Sequence, residues 1–162
     1  IPSNGLHTNG YSLVREIFDF DKNHSEMNII VPGTKISLGE MLTRPHKNYY
    51  HSLWGSLDKF KSIAHITGGG IGENVSRSIP DNVKIEIDSR SWEMPKLFNF
   101  IKDRGGIYLE EMFKVFNMGI GMVIIVDPRF QDIALSTDKD SKIIGKILNR
   151  SNNEEKVKII GI

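Results

Sequence analysis

Three short segments combine glycine with polar side chains where such residues could meet an anion or move a proton. Gly68-Gly69-Gly70 follows the apolar run Ile63-Ala64-His65-Ile66-Thr67 and precedes a helical stretch from Glu73 to Ser78. Glycines between a strand and a helix start let backbone N–H groups approach an anion, and the helix end adds partial positive charge. No Lys-Ser/Thr pair follows, which excludes a Walker loop, and the third glycine of a dinucleotide fingerprint is missing. A tight turn needing only unrestricted φ is the competing reading. Gly5-Leu6-His7-Thr8-Asn9-Gly10 puts an imidazole, a hydroxyl and an amide on one glycine-bounded loop ahead of a helix. That set can bind an anion or transfer a proton, or it can simply satisfy its own backbone. Asn117-Met118-Gly119-Ile120-Gly121-Met122 places glycines at a strand, where they mark close approach of a ligand or of another backbone.

Other arrangements argue for less. The five histidines contain no HExxH, and His46 and His51 stand five apart, off a common helical face, so no metal site is assigned. His65, inside an apolar strand, reads as a satisfied core histidine. Asp138 and Asp140 read as a solvated loop, and Tyr49, Tyr50 and Trp54 as core or interface. No Ser-His-Asp arrangement follows from spacing.

The elements that must carry these segments follow from hydrophobic periodicity. A helix after Gly10 has Thr8 or Asn9 as N-cap and Leu13, Val14, Ile17 and Phe18 inward. Ser37-Leu38-Gly39-Glu40 is a capping box for a short helix ended by Pro45. Asn48 to Leu57 reads as one helix. Val83, Ile85 and Ile87 alternate with charged residues as a half-buried strand. A helix runs from Pro95 to Arg104, closed by Gly105-Gly106. Tyr108 to Phe116 is helical, with Met112, Val115 and Phe116 inward. Ile120 to Val126 is the most apolar strand, and Phe130 to Leu135 a short helix. Ile143 to Leu148 and Val157 to Ile160 read as a terminal hairpin about Ser151-Asn152-Asn153. Strands alternating with helices predict an α/β (α+β) fold, a layered sandwich with a mixed sheet.

Composition narrows the classes. The chain has 162 residues, 39% of them hydrophobic, enough for a core without disulfide or metal staples. It carries 21 basic and 20 acidic side chains, split 8 and 8 over residues 1–81 and 13 and 12 over 82–162. That balance offers no basic footprint for nucleic acid and no polybasic patch for a membrane. Zero Cys excludes disulfides, thiolate metal sites and cysteine nucleophiles. With no membrane-length apolar run and no signal peptide, a cytoplasmic location is expected. The chain opens at Ile1, without Met, directly in loop chemistry, which predicts a fragment whose N-terminal half has been removed.

Taken together the segments form a set. Ser3-Asn4-Gly5-Leu6-His7-Thr8-Asn9-Gly10-Tyr11-Ser12-Leu13-Val14-Arg15 resembles the S-S-G-L-H-S-N-G-[YF]-S-L-[VI]-R segment of the AIR synthetase (phosphoribosylformylglycinamidine cyclo-ligase) family. The resemblance continues in order through Ala64 to Gly70, Glu73-Asn74, Ser91-Trp92 and Glu111 to Met122, and fades after about Asp127. It identifies residues 1–162 as a C-terminal domain of that family.

The resemblance implies an enzyme that uses ATP and magnesium to activate the amide oxygen of formylglycinamidine ribonucleotide. Ring closure then yields aminoimidazole ribonucleotide, ADP and phosphate in purine biosynthesis. It implies an N-terminal half bearing most metal-binding acids and the interface of a homodimer, with the cleft between the halves. This half alone is therefore expected to be inactive. By resemblance, His7 and Asn9 are the catalytic candidates. Gly5, Thr8, His65, Thr67, Gly68, Gly69, Gly70, Asn74, Asn117 and Gly119 are candidates for binding substrate or phosphate. Departures from the family pattern are Asn4 and Thr8 where Ser is common, His46 where Thr is common, and His51 where Lys is common. If the family's Lys meets a phosphate, His51 breaks that contact. Related ATP-using enzymes of the amidotransferase, selenophosphate synthetase and thiamin-phosphate kinase types share the architecture. A non-catalytic binding or assembly domain is the reading from a different class.

Overall fold

The alternation of Val83, Ile85 and Ile87 with charged residues builds the centre of the molecule. The structure, a computed structural model, describes residues 1–162. Its elements in chain order are α1 (Tyr11–Phe18), α2 (Leu38–Leu42), α3 (Tyr50–Leu53), β1 (Phe60–His65), α4 (Gly70–Arg77), β2 (Val83–Asp88), α5 (Lys96–Gly105), α6 (Leu109–Val115), β3 (Met122–Val126), α7 (Gln131–Ser136), β4 (Gly145–Asn149) and β5 (Val157–Ile160), with short 3-10 turns between some of them. No helix is long and apolar enough to cross a membrane.

The mixed α/β class holds, with the strands divided between two sheets. β1 and β3 form an antiparallel pair in which His65 faces Met122 and Phe60 faces Val126. β2 lies between β4, antiparallel to it, and β5, parallel to it. This is the mixed sheet. The expected terminal hairpin does not form, because β4 and β5 both pair with β2 and not with each other. Ile85 and Ile87 are 4% and 1% exposed, so β2 is a central strand, and its two edges both need hydrogen-bond partners away from water. The segment after β4 bridges two strand spacings, roughly 10 Å, across the start of β2. Arg150 anchors it there, donating to the carbonyls of Asp81 and Glu154.

Other boundaries shift for local reasons. Gly10, at φ 72°, is the N-cap of α1 in place of Thr8 or Asn9. The 48–57 helix splits into α3 and a 3-10 segment Trp54–Lys59, which leaves Trp54 and Leu57 exposed while Tyr49 and Leu53 are buried. The first strand begins at Phe60 and ends at His65, before Ile66 and Thr67. The helix expected from Glu73 begins three residues earlier, at Gly70. Ser37 caps α2 as expected, accepting from the Glu40 N–H at 3.2 Å.

The main core joins Val14 and Phe18 of α1, Ile71 and Val75 of α4, Ile85 and Ile87 of β2, Phe98 and Ile101 of α5, and Met112 of α6 with Phe116. In α6 the inward side is Met112 and Phe113, with Val115 only half-buried. This packing fixes Gly70. Its φ is +66°, and a Cβ there would lie 1.9 Å from the Phe113 carbonyl oxygen. Gly70→Ala is expected to cost about 2 kcal/mol or more, from left-handed strain plus a backbone clash. Urea unfolding would read it as a lower midpoint with unchanged slope.

Candidate functional site

The three polar segments of the sequence meet at one place, and two buried asparagines hold them. Asn117, fully buried, donates from Nδ2 to the Gly5 carbonyl at 2.8 Å. Its Oδ1 accepts from the Ser3 hydroxyl and from the Gly119 N–H, both at 2.9 Å. The first loop and the 117–121 segment are thereby stitched together. Pairing of Pro2 with Ile120 extends the seam. Asn74, 9% exposed, donates from Nδ2 to the carbonyls of Thr67, Gly68 and Gly70, and Thr67 donates its hydroxyl to Asn74 Oδ1. With its amide spent on the loop, Asn74 shapes the glycine turn. Asn9 Oδ1 lies 3.6 Å from where a Cβ of Gly68 would stand, which sets the first loop beside the glycine turn.

Backbone conformation marks the same place. His7, Thr8 and Met118 have φ of 52°, 63° and 51°, the left-handed region that costs a non-glycine residue about 1–2 kcal/mol. Strain of this kind persists only where the surroundings over-determine it. Here Asn9 and Thr8 both donate to the His7 carbonyl, at 2.8 and 2.6 Å. Gly69 and Gly10, both left-handed, start α4 and α1, and neither helix has a side-chain cap. The Gly70 N–H donates to the Thr67 carbonyl at 3.2 Å, which leaves the N–H groups after it in α4, and those that open α1, free to face a ligand. Gly119 is held open by Pro95, since a Cβ there would lie 2.5 Å from the proline Cδ. Gly121 makes room for the Tyr49 hydroxyl and the His7 ring.

His7 is the most constrained polar side chain. It is 5% exposed. Asn4 Oδ1 accepts from the Lys47 N–H while Asn4 Nδ2 donates to the Pro45 carbonyl, which fixes the amide orientation. His7 Nε2 lies 2.7 Å from that Oδ1, a contact that calls for a proton on Nε2, and the Asn4 backbone N–H also points at Nε2 from 3.2 Å. Nδ1 is buried with no partner, and with the proton on Nε2 it is an acceptor. Burial, then the neighbouring His46, His65 and Lys47, lowers the His7 pKa to about 4, so the ring is neutral at pH 7.

His65 corrects the sequence reading. It is exposed at the end of β1, on the opposite face from buried Ala64, and so is not a core histidine. Burial and the nearby His46 lower its pKa. His46 stacks on His7 with ring centroids 3.8 Å apart and lies 5.2 Å from the His65 ring. Sequence spacing compared His46 only with His51 and missed this grouping, because its three members come from different elements. Asp138, read as a solvated loop residue, forms a half-buried ion pair with Lys47 at 2.6 Å. No signal in the sequence pointed to that pair. Thr8 is exposed, and so is Gly68. An apolar groove of about 520 Å³, lined by Ile85, Val123, Ile125, Leu135 and Ile144 among others, contains none of the expected site residues.

The sequence that carries this arrangement is similar to that of known proteins. Residues 1–158 match the family described as AIR synthase related protein, C-terminal domain. The chain belongs to this family. Among its curated relatives, the phosphoribosylformylglycinamidine cyclo-ligase of Thermoanaerobacter sp. (strain X514) is 40% identical over 153 residues, covering 91% of this chain and 45% of the relative. That of Chromobacterium violaceum is 38% identical over 165 residues, covering 98% and 47%. That of Neisseria meningitidis serogroup B is 44% identical over 128 residues, covering 78% and 36%. The chain spans about half the length of the curated relatives it matches. The AIR synthetase relationship read from the motifs therefore holds across nearly all of this AIR synthase-related domain.

Proposed function

We propose that this AIR synthase-related domain forms one wall of the active cleft of an ATP-dependent cyclo-ligase. The reaction closes formylglycinamidine ribonucleotide to aminoimidazole ribonucleotide, with ADP and phosphate released. The single observation that carries the reading is the convergence of the His7 loop, the Gly68–Gly70 turn and the 117–121 segment, joined through Asn117 and Asn9. These segments are scattered over more than a hundred positions of sequence, and packing alone gives no reason for them to share so many polar groups.

An amide carbonyl is a poor electrophile with a poor leaving group. Phosphorylating its oxygen turns it into an imidate-like centre, and closure by an internal nitrogen then benefits from intramolecular proximity. Such chemistry asks for positioning and for stabilisation of charge on phosphate oxygens. In this reading, the uncapped N–H groups at the starts of α1 and α4 would hold phosphate oxygens, and the Thr8 hydroxyl would add a donor. Neutral His7 would accept a hydrogen bond or a proton through Nδ1 once the exposed His46 ring swings aside. Asn117, Asn74 and Gly119 would hold the shape of the site.

ATP fits the free N–H groups, and magnesium would neutralise its phosphates when bound. The site residues of this domain offer magnesium only Glu73, which is paired with Arg77. The remaining length of the relatives would supply the carboxylates and the homodimer contacts. The test is ATP-dependent formation of aminoimidazole ribonucleotide, with matching ADP and phosphate, by a protein of the relatives' length carrying this domain. We expect turnover from that protein and none from residues 1–162 alone. ATP hydrolysis without ring closure would refute the reading, as would ring closure by the 162-residue chain.

A further inference from the structure

We propose that His7, His46 and His65 form a three-imidazole site for a first-row transition-metal dication, with zinc the best match. One ring nitrogen of each histidine lies within 4.8 Å of those of the other two. Nitrogens about 3.4 Å apart would suit a tetrahedral ion with Zn–N bonds of about 2.0–2.1 Å. The closure needed is at most about 1.4 Å, together with a turn of the His46 ring, now tilted 30° to the His7 ring, so that the in-plane lone pairs converge. His46 and His65 are exposed side chains with rotamer freedom for both.

The hydrogen bonds of the cluster already have the form that metal ligation requires. A metal-bound imidazole gives one nitrogen's lone pair to the ion and donates its other N–H to a carbonyl or carboxylate. His7 Nε2 lies 2.7 Å from the Asn4 side-chain carbonyl, with the Asn4 backbone N–H 3.2 Å from the same nitrogen; with the proton on Nε2, the Nδ1 lone pair is free, buried and without a partner. His46 donates Nδ1–H to the Lys47 carbonyl at 2.9 Å, so its Nε2 lone pair is free. His65 makes no hydrogen bond through its ring. The unpartnered Nδ1 sits on a side chain that is 5% exposed. A buried acceptor left unpaired costs about 1–3 kcal/mol, and a bound ion would remove that cost.

The surroundings permit a dication. Lys47, the cation beside the cluster, is paired with Asp138 at 2.6 Å. His46 and His65 line a surface depression of about 420 Å³, which gives an ion a route in and leaves room for water as fourth ligand. Three neutral nitrogens and no carboxylate favour zinc, nickel or copper over magnesium or calcium. This inference stands on the histidine geometry and not on the cyclo-ligase reading; because both use the His7 Nδ1 lone pair, bound zinc would block proton acceptance there until it leaves.

The experiment is calorimetric titration of the chelator-stripped protein with zinc chloride, repeated with magnesium chloride, together with the visible spectrum after cobalt(II) addition. One zinc per chain is expected, bound far more tightly than millimolar, with intense tetrahedral cobalt bands and no comparable magnesium binding. His46→Thr and His65→Ala, both at exposed positions, should each weaken zinc binding about 100-fold or more, and Asn4→Ala about 10–100-fold by freeing the His7 tautomer. His51→Ala should leave binding unchanged. The proposal fails if zinc does not bind, if His46→Thr and His65→Ala bind zinc like the parent, or if His51→Ala loses binding as they do. Because the readout is metal binding, its failure would leave the cyclo-ligase reading untouched, and loss of ring closure in the absence of zinc would not bear on it.

Discussion

Replacing His7 with Asn in a protein of the relatives' length should lower kcat for ring closure about 10²–10⁴-fold. Asn is the informative substitution because it tolerates left-handed backbone better than most residues, and His7 sits at φ 52°. His7→Ala would add backbone strain and confuse a folding loss with a chemical one. The size of the effect follows from what His7 offers. It is a neutral ring tied to Asn4 through Nε2, with a buried Nδ1 that no protein group uses. If that nitrogen meets the reacting amidine, its loss removes a proton acceptor placed by the fold, and kcat falls more than KM rises. Unchanged thermal stability beside the lost turnover would separate chemistry from folding. Turnover within about threefold of the parent would take His7 out of the catalytic machinery.

Asn117→Ala should destabilise the domain by about 3–5 kcal/mol. The substitution leaves the half-buried Gly5 carbonyl and Ser3 hydroxyl and the buried Gly119 N–H without the partner that fully buried Asn117 gives them. Each unsatisfied buried group costs about 1–3 kcal/mol, and partial relaxation trims the sum. A domain of this size should lose about 10 °C in Tm. The effect belongs to the seam between the first loop and the 117–121 segment, so the variant should also lose amide-exchange protection at Gly119, whose N–H bonds Asn117, and at Gly121, whose N–H bonds the Ile1 carbonyl. A loss below about 1 kcal/mol would show that water replaces the side chain and that Asn117 is not the staple of the site.

The two asparagines show how far the candidate site was legible. Their neighbours, Gly68 to Gly70 and Gly119 to Gly121, stood out because glycines in such contexts are costly unless something approaches closely. What approaches proved to be protein: Phe113 at Gly70, Pro95 at Gly119, Tyr49 and His7 at Gly121. Asn74 and Asn117, expected to touch or support a ligand, spend their polar atoms on backbone and on Ser3 and Thr67. Their hydrogen bonds could not be read from residue type. The histidines went the other way. His65 looked buried because its neighbours in sequence are apolar, yet the strand ends at that residue and leaves it in solvent.

The amino-acid string by itself determined the element types, the family motifs and the positions where only glycine serves, because periodicity and φ requirements are local. Tertiary structure alone decided that β2 takes the centre of a three-stranded sheet, that Lys47 pairs with Asp138, and that His7, His46 and His65 share one spot. Those outcomes depend on which buried backbone edges must be satisfied and on which distant loops the asparagines tie together. Such long-range demands are met by the whole chain at once, and no segment carries them alone.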